Sequence, residues 1–197
     1  MSVGGRDYHA CEICAARFLD PSQRPEPEVE RAHYESHRND VGDPGYRRFL
    51  ARLAEPLIER LEARSSGLDH GCGPGPALAA MLREAGHDVA LYDPYFAPDR
   101  AIFSHSWDFI TCSETAEHFH DPAGEFERLA SMLRPGGWLA VMTCFQTDDA
   151  RFAHWHYRRD PTHVVFYREQ TLRHIAASLG LTCEIPRKDV ALMQRPA

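Results

Sequence analysis

The side chains with most scope for chemistry fall in two stretches of this 197-residue chain. One runs SETAEHFHD from Ser113 and carries Glu114, Glu117, His118, His120 and Asp121. The other, HWHYRRDPTHVVFY from His154, sets His154, His156, Asp160 and His163 among aromatic residues, a composition suited to a lid or pocket wall. Imidazoles titrating at ~6.5 beside carboxylates can take up or release a proton at neutral pH. Glu114 and Glu117 share a side if a helical turn starts there. We therefore expect Glu114, His118 and His163 to face the acceptor side of a pocket. They either move a proton there or only shape the pocket by hydrogen bonding.

Upstream, Leu68-Asp69-His70-Gly71-Cys72-Gly73-Pro74-Gly75 lies between a short apolar run and a helix-like segment. Glycines allow a tight turn and close backbone approach to a ligand, and a helix N-terminus offers free N–H groups. Asp93 ends the next apolar run, where a carboxylate can accept ribose hydroxyls. A glycine loop followed at that distance by an acid marks a nucleoside-type cofactor. A phosphate-cradling Walker loop needs Gly-Lys-Ser/Thr, and this loop ends Gly-Pro-Ala. A nicotinamide or flavin site wants G-x-G-x-x-G, whereas these glycines run G-x-G-x-G. The third candidate is S-adenosylmethionine, with its methionyl part by the loop and its ribose at Asp93.

The elements that must hold these residues follow from periodicity. Phe49, Leu50, Leu53, Leu57, Ile58 and Leu61 make an amphipathic helix within 46–64, bent at Pro56. Further helices are expected over 77–85, 123–133 and 169–179. Strands are expected at the SSGLD run before the loop and over 87–92, 107–111 and 138–144. Arg134-Pro135-Gly136-Gly137 reads as a stop and turn. The runs 181–185 and 190–193 read as a terminal strand pair. Strands alternating with helices imply a doubly wound, mostly parallel α/β sheet. Residues 1–45, with Cys11-x-x-Cys14 and the run PSQRPEPEVE, read as an irregular extension ahead of a domain over 46–197.

Together LDHGCGPGPA, ALYDP, WDFITCSETAEHF and LRPGGWLAVMT resemble the class I S-adenosylmethionine-dependent methyltransferases, over roughly residues 45–195. The resemblance implies a Rossmann-like sheet and methyl transfer to a small-molecule acceptor. It implies that Asp69, Gly71, Cys72, Gly73 and Gly75 form the cofactor loop and that Asp93 binds the ribose. It places Cys112, Ser113 and Glu114 at the end of the fourth strand, beside the sulfonium. One departure stands out: between Asp93 and Trp107 the usual helix, strand and adenine-binding acidic loop do not fit. At most a shortened third strand, at 101–103, is expected, with Tyr95 or Phe96 stacking on the base.

E-x-x-E-H with a distant histidine also resembles the metal-binding pattern of small-RNA terminal 2'-O-methyltransferases and of some ubiquinone-pathway O-methyltransferases. By that resemblance Glu114, Glu117, His118 and His163 would be ligands of a divalent ion. The pair Cys11-x-x-Cys14 resembles half of the zinc ribbon that precedes some methyltransferase domains; His33 and His37 could complete a zinc site only if the segment folds back, and otherwise the pair reads as a redox pair or as a vestigial or simply buried one. The cysteines at 72 and 112 read as small fillers near the cofactor. Tyr34 and Tyr46 are expected to cover the cofactor, Trp155 and Tyr157 to wall the pocket, and Arg158 or Arg159 to hold an acidic group. Two further readings remain: a cofactor-binding scaffold without turnover, and a nicotinamide-dependent oxidoreductase.

Composition narrows the partners. Lys and Arg total 22 against 29 Asp and Glu, a net charge of -7, with no basic tract to grip nucleic acid. No apolar stretch approaches the ~20 residues of a membrane span, and the start does not read as a secretory signal. Six cysteines in this length are expected as reduced thiols in a cytoplasmic setting.

Overall fold

Period-two alternation decides which way each strand residue faces. Ile110, Cys112, Leu139 and Val141 enter one apolar cluster, and their neighbours Phe109, Ala140 and Met142 enter another. Buried on both faces, these strands demand a layer of cover on each side. The computed structural model describes residues 1–36 and 40–197.

The chain opens with β1 (Ser2–Val3), β2 (Arg6–Ala10) and β3 (Arg17–Leu19), followed by α1 (Pro27–Glu35) and α2 (Pro44–Ile58). Next come β4 (Ser66–His70), α3 (Ala77–Glu84), β5 (Asp88–Tyr92), β6 (Trp107–Ser113), α4 (Pro122–Ser131) and β7 (Leu133–Met142). The last elements are α5 (Asp149–Phe152), β8 (Val165–Phe166), α6 (Glu169–Ser178), β9 (Thr182–Arg187) and β10 (Val190–Gln194). The main sheet has the order β5-β4-β6-β7-β10-β9. Its first four strands are parallel, and β10 runs antiparallel to both neighbours.

On one face α2 and α3 bury Leu50, Leu53, Leu57, Leu78 and Leu82 against Phe109 and Met142. On the other, Phe126 and Leu129 of α4 and Leu172 of α6 pack with Tyr8, Leu19 and Phe166 of a second, small sheet. Each such large side chain contributes about 1.5–3 kcal/mol on burial. The expected α/β class and the terminal strand pair are thus both present. No helix among the described residues is long and apolar enough to cross a membrane.

Four local expectations are corrected. The extension is not irregular: β1, β2 and β3 form an antiparallel sheet completed by β8. No third strand forms at 101–103. Asp99 caps the Ala101 amide at 2.9 Å and a 3-10 helix, Arg100–Ser104, takes its place, leaving β5 as the sheet edge. Arg134-Pro135-Gly136-Gly137 lies within β7, where Gly136 at φ +78° and a register shift opposite Trp107 and Phe109 make a bulge. The helix at 46–64 instead starts at Pro44, with Asp43 accepting from the Tyr46 amide, and stops at Ile58. Pro56, having no N–H to give, sits in its last turn.

Candidate functional site

The loop after β4 is pinned to the end of β5 by its own backbone. The amides of Gly71 and Cys72 both donate to the Tyr92 carbonyl, at 2.8 and 3.1 Å. Gly71 has φ +77°, and a Cβ there would lie 2.2 Å from Thr115 Cγ2, so no other residue fits without displacement. At Gly73, φ +62°, a Cβ would enter open space, which leaves room for a ligand against the backbone.

Asp93 is buried and braced. Its Oδ2 accepts from the Gly73 amide at 3.0 Å, and Oδ1 accepts from the amides of Tyr95 and Phe96 at 2.9 and 3.1 Å. An ionised carboxylate offers about four acceptor positions, so one remains, on Oδ2. That suffices for one ribose hydroxyl held directly.

At the end of β6 the chain turns through Glu114, a non-glycine residue at φ +48°. Such backbone is sparsely populated and persists where the surroundings impose it. The Glu114 amide donates to the Met142 carbonyl at 2.8 Å. Its carboxyl is pushed up to about 9, first by burial and then by repulsion from Glu117. The Tyr157 hydroxyl lies between the two acids, 3.3 Å from Glu114 Oε2, in hydrogen-bond contact with Glu117 Oε1 and 3.2 Å from Thr143 Oγ1.

Glu117, His118 and His163 each bring a ligating atom within 4.8 Å of the others. Both imidazoles are oriented from behind. His118 Nδ1 donates to the Thr162 carbonyl at 3.0 Å and His163 Nδ1 to the Tyr157 carbonyl at 2.7 Å. A carbonyl only accepts, so Nδ1 carries the proton and Nε2 keeps its lone pair in the neutral ring. Burial lowers the His163 pKa and favours that neutral form.

One cavity of about 1020 Å³ unites these parts. Of the residues singled out in the sequence, Gly71, Cys72, Gly73 and Asp93 line it on the loop side, and Ser113, Glu114, His118 and His163 on the other. Asp69, Gly75 and Cys112 do not. Asp69 points under the loop, where it accepts from the Thr111 hydroxyl at 2.7 Å, and Cys112 is fully buried. Burial pushes the Cys72 thiol up to about 12, so it is no nucleophile.

The helix α1 roofs the cavity. Glu30 accepts from the Tyr95 hydroxyl at 3.0 Å and pairs with His120 Nε2 at 2.8 Å, while His33 meets Asp160 at 3.1 Å. Tyr34, Tyr46 and Tyr157 line the cavity as expected, and so does Arg159. Trp155 packs on Phe166 instead, and Arg158 is engaged by Tyr8 and the Ala153 carbonyl. Glu30 was not singled out in the sequence. Its role depends on partners 65 and 90 positions away.

Cys11 and Cys14 sit at the tip joining β2 to β3, away from this cavity; all six cysteines are free thiols. Among the described residues, the group close enough to share a metal ion is Glu117, His118 and His163. His37, a suggested partner of the cysteine pair, lies outside the described residues.

The site suits S-adenosylmethionine on three counts: the open space over Gly73, the remaining acceptor position on Asp93, and the buried Ser113 Oγ and Glu117 Oε2, which have no hydrogen-bond partner within the protein. The strand order, the helices on both faces and the glycine loop above β4 define a Rossmann-like fold of the class I methyltransferase type. The family described as "Methyltransferase domain" matches residues 34–184, and the chain belongs to it, with S-adenosylmethionine as cofactor.

Among curated proteins, the chain is 30% identical over 91 residues to the ubiquinone biosynthesis O-methyltransferase of Nitrosospira multiformis, covering 46% of this chain and 38% of that protein. It is 31% identical over 91 residues to the same enzyme of Serratia proteamaculans, covering 46% and 37%. Each match therefore takes in well under half the length of the relative. Among solved structures, the fold resembles Burkholderia thailandensis 1,6-didemethyltoxoflavin-N1-methyltransferase, with TM-score 0.61 at 16% identity over 97% of this chain and all of that one. An O-methyltransferase family protein of the same organism gives TM-score 0.54 at 16% identity, over 87% and 63%.

Proposed function

We propose that this protein transfers the methyl group of S-adenosylmethionine to a small-molecule acceptor. The observation that carries the reading is that a single cavity brings the loop at Gly71 and Gly73, the braced Asp93, and the Glu114–His118–His163 group together. The cofactor supplies a methyl group activated on a sulfonium, so the protein has little covalent chemistry to perform. Its tasks are alignment, exclusion of water and removal of the acceptor's proton. The loop amides and Asp93 hold the cofactor, and Glu30, Tyr34 and Tyr95 close the roof. Nε2 of His118 or His163 takes the proton, while Glu114, held protonated by burial and Glu117, hydrogen-bonds the acceptor.

A second reading is metal-assisted O-methylation. It is favoured by two imidazoles whose Nδ1 atoms are tied to carbonyls, as in oriented metal ligands, within 4.8 Å of Glu117; His163 Nε2 also lies 3.8 Å from Asp160 Oδ2. Glu117, His118 and His163 would hold a divalent ion, with Glu114 bordering it through Tyr157. Such an ion lowers the pKa of a bound hydroxyl.

Residues 46–197 form the cofactor-binding part in this reading, and α1 of the N-terminal extension, residues 1–45, contributes the roof. The unpaired thiols are in keeping with a cytoplasmic setting. The test is calorimetric binding of S-adenosylhomocysteine and of NAD, followed by turnover with radiolabelled methyl donor on a panel of phenols, catechols and amines. Binding of the homocysteine compound with label appearing in an acceptor supports the proposal. Binding of NAD instead, or tight binding with no acceptor methylated, overturns it in favour of an oxidoreductase or a scaffold.

A further inference from the structure

We infer that His70 reads the exocyclic amino group of the cofactor's purine base, replacing the acidic loop that the missing third strand would have carried. This rests on the proposed cofactor reading and goes beyond it, by naming the group that selects the base.

The sheet order limits where the base can lie. Asp93 ends the edge strand β5 and Glu114 follows β6, with β4 between them, so a ligand held at both crosses the end of β4, where His70 sits beside Tyr92 of β5. Beyond β5 the chain supplies the turn at Pro94, Tyr95 and Phe96 and then the 3-10 helix Arg100–Ser104. Around His70 the cavity is lined by the rings of Tyr92 and Phe119, with the charged Glu125 and Arg128 beside them. His70 stacks on Tyr92, ring centroids 5.2 Å apart and 22° between planes, and meets the edge of Phe119 at 6.0 Å and 71°. Phe103 backs Tyr92 at 4.7 Å. Flat aromatic rings of this kind suit a planar heterocycle.

Beside these rings the Nδ1 atom of His70 is unpaired. His70 is 4% exposed, and its Nδ1 has no hydrogen-bond partner within the protein. Burial first, and the nearby Arg128 second, lower its pKa to about 4, so the ring is neutral at pH 7. Nε2 lies 3.8 Å from Glu125 Oε2, a carboxylate that favours the proton on that nitrogen. The lone pair is then on Nδ1, and Nδ1 is an acceptor in want of a donor. The 6-amino group of adenine is a donor. The 6-oxo group of hypoxanthine is an acceptor and would leave two lone pairs opposed.

The experiment compares S-adenosylhomocysteine with its deaminated counterpart, S-inosylhomocysteine, by calorimetry on the wild-type chain and on His70→Phe, which keeps the aromatic wall. Wild type should bind the adenosyl compound at least ~10-fold more tightly, since a site built to hydrogen-bond a group rejects an analogue lacking it. His70→Phe should lose about that factor for the adenosyl compound and bind the two within about twofold. His70→Gln, whose amide oxygen also accepts, should recover part of the preference and serves if the Phe variant does not fold. A preference unchanged in both variants, or absent in the wild type, overturns the role of His70 alone. Failure of the wild type to bind either compound overturns the cofactor reading itself, and this inference with it.

Discussion

His163 Nδ1 donates to the carbonyl oxygen of Tyr157 across 2.7 Å, and the same tyrosine sends its hydroxyl between Glu114 and Glu117. One residue therefore sets both the tautomer of the histidine and the spacing of the two acids. If His163 Nε2 takes the acceptor's proton, His163→Ala should lower kcat by about 10²–10⁴-fold, the usual scale of general-base catalysis. The Kd for S-adenosylhomocysteine should stay within about threefold, because the loop and Asp93 are untouched. Stopped turnover alongside calorimetry checks this; a variant with full kcat removes His163 from the chemistry.

The metal-assisted reading has its own signature. The wild-type chain, purified without chelator, should carry about one divalent ion, and Glu117→Gln should carry little, since a neutral amide is a poor substitute for a carboxylate ligand. Elemental analysis measures both. Chelation should then abolish turnover while cofactor binding persists. A chain free of metal that turns over unchanged in chelator leaves the histidines as proton carriers only.

His70 makes stability depend on pH. Its folded pKa, about 4, lies below the ordinary value of 6.5, so the unfolded chain binds the proton first as pH falls. The stabilisation is therefore complete above pH 6.5 and is lost progressively down to pH 4, to the extent of about 2–3 kcal/mol. His70→Phe should flatten this limb in urea titrations run between pH 4 and 7. An equally steep limb in the variant would assign the acid sensitivity to other groups.

Asp69 works in the opposite direction. Burial raises its folded pKa from 3.8 to about 6, despite the Thr111 hydrogen bond. The folded chain holds that proton longer, so ionising Asp69 costs stability as pH rises from 4 to 6, and the cost stays in place above that. Asp69→Asn, which keeps an acceptor for Thr111, should gain about 1–3 kcal/mol relative to wild type at pH 7.5 and nothing at pH 4. Denaturant midpoints at the two pH values decide it.

What the sequence made legible was local. The glycine loop, Asp93 and the alternation through Ile110 and Cys112 are short-range patterns, and they placed the sheet and the loop end of the cavity. The β3–β8 pairing joins Phe18 to Val165, and the roof contact joins Glu30 to His120, so neither has a signal within any window of sequence. The resemblance carried Asp69 onto the cofactor, although strand alternation turns it towards α3 and turns its neighbour His70 into the cavity. Period two alone would have distinguished the pair. The third strand was expected because the family carries one, yet Asp99 and Ser104 make better caps of a short helix than ends of a strand.

Titration of S-adenosylmethionine into the wild-type chain and into Asp93→Ala tests most directly whether loop and acid hold one molecule. Wild type should take up the compound at a single site per chain. The variant, deprived of a charged hydrogen bond and of the brace on Gly73, should bind about 10–100-fold more weakly. Equal affinity in the two proteins, or no uptake by either, would contradict the account.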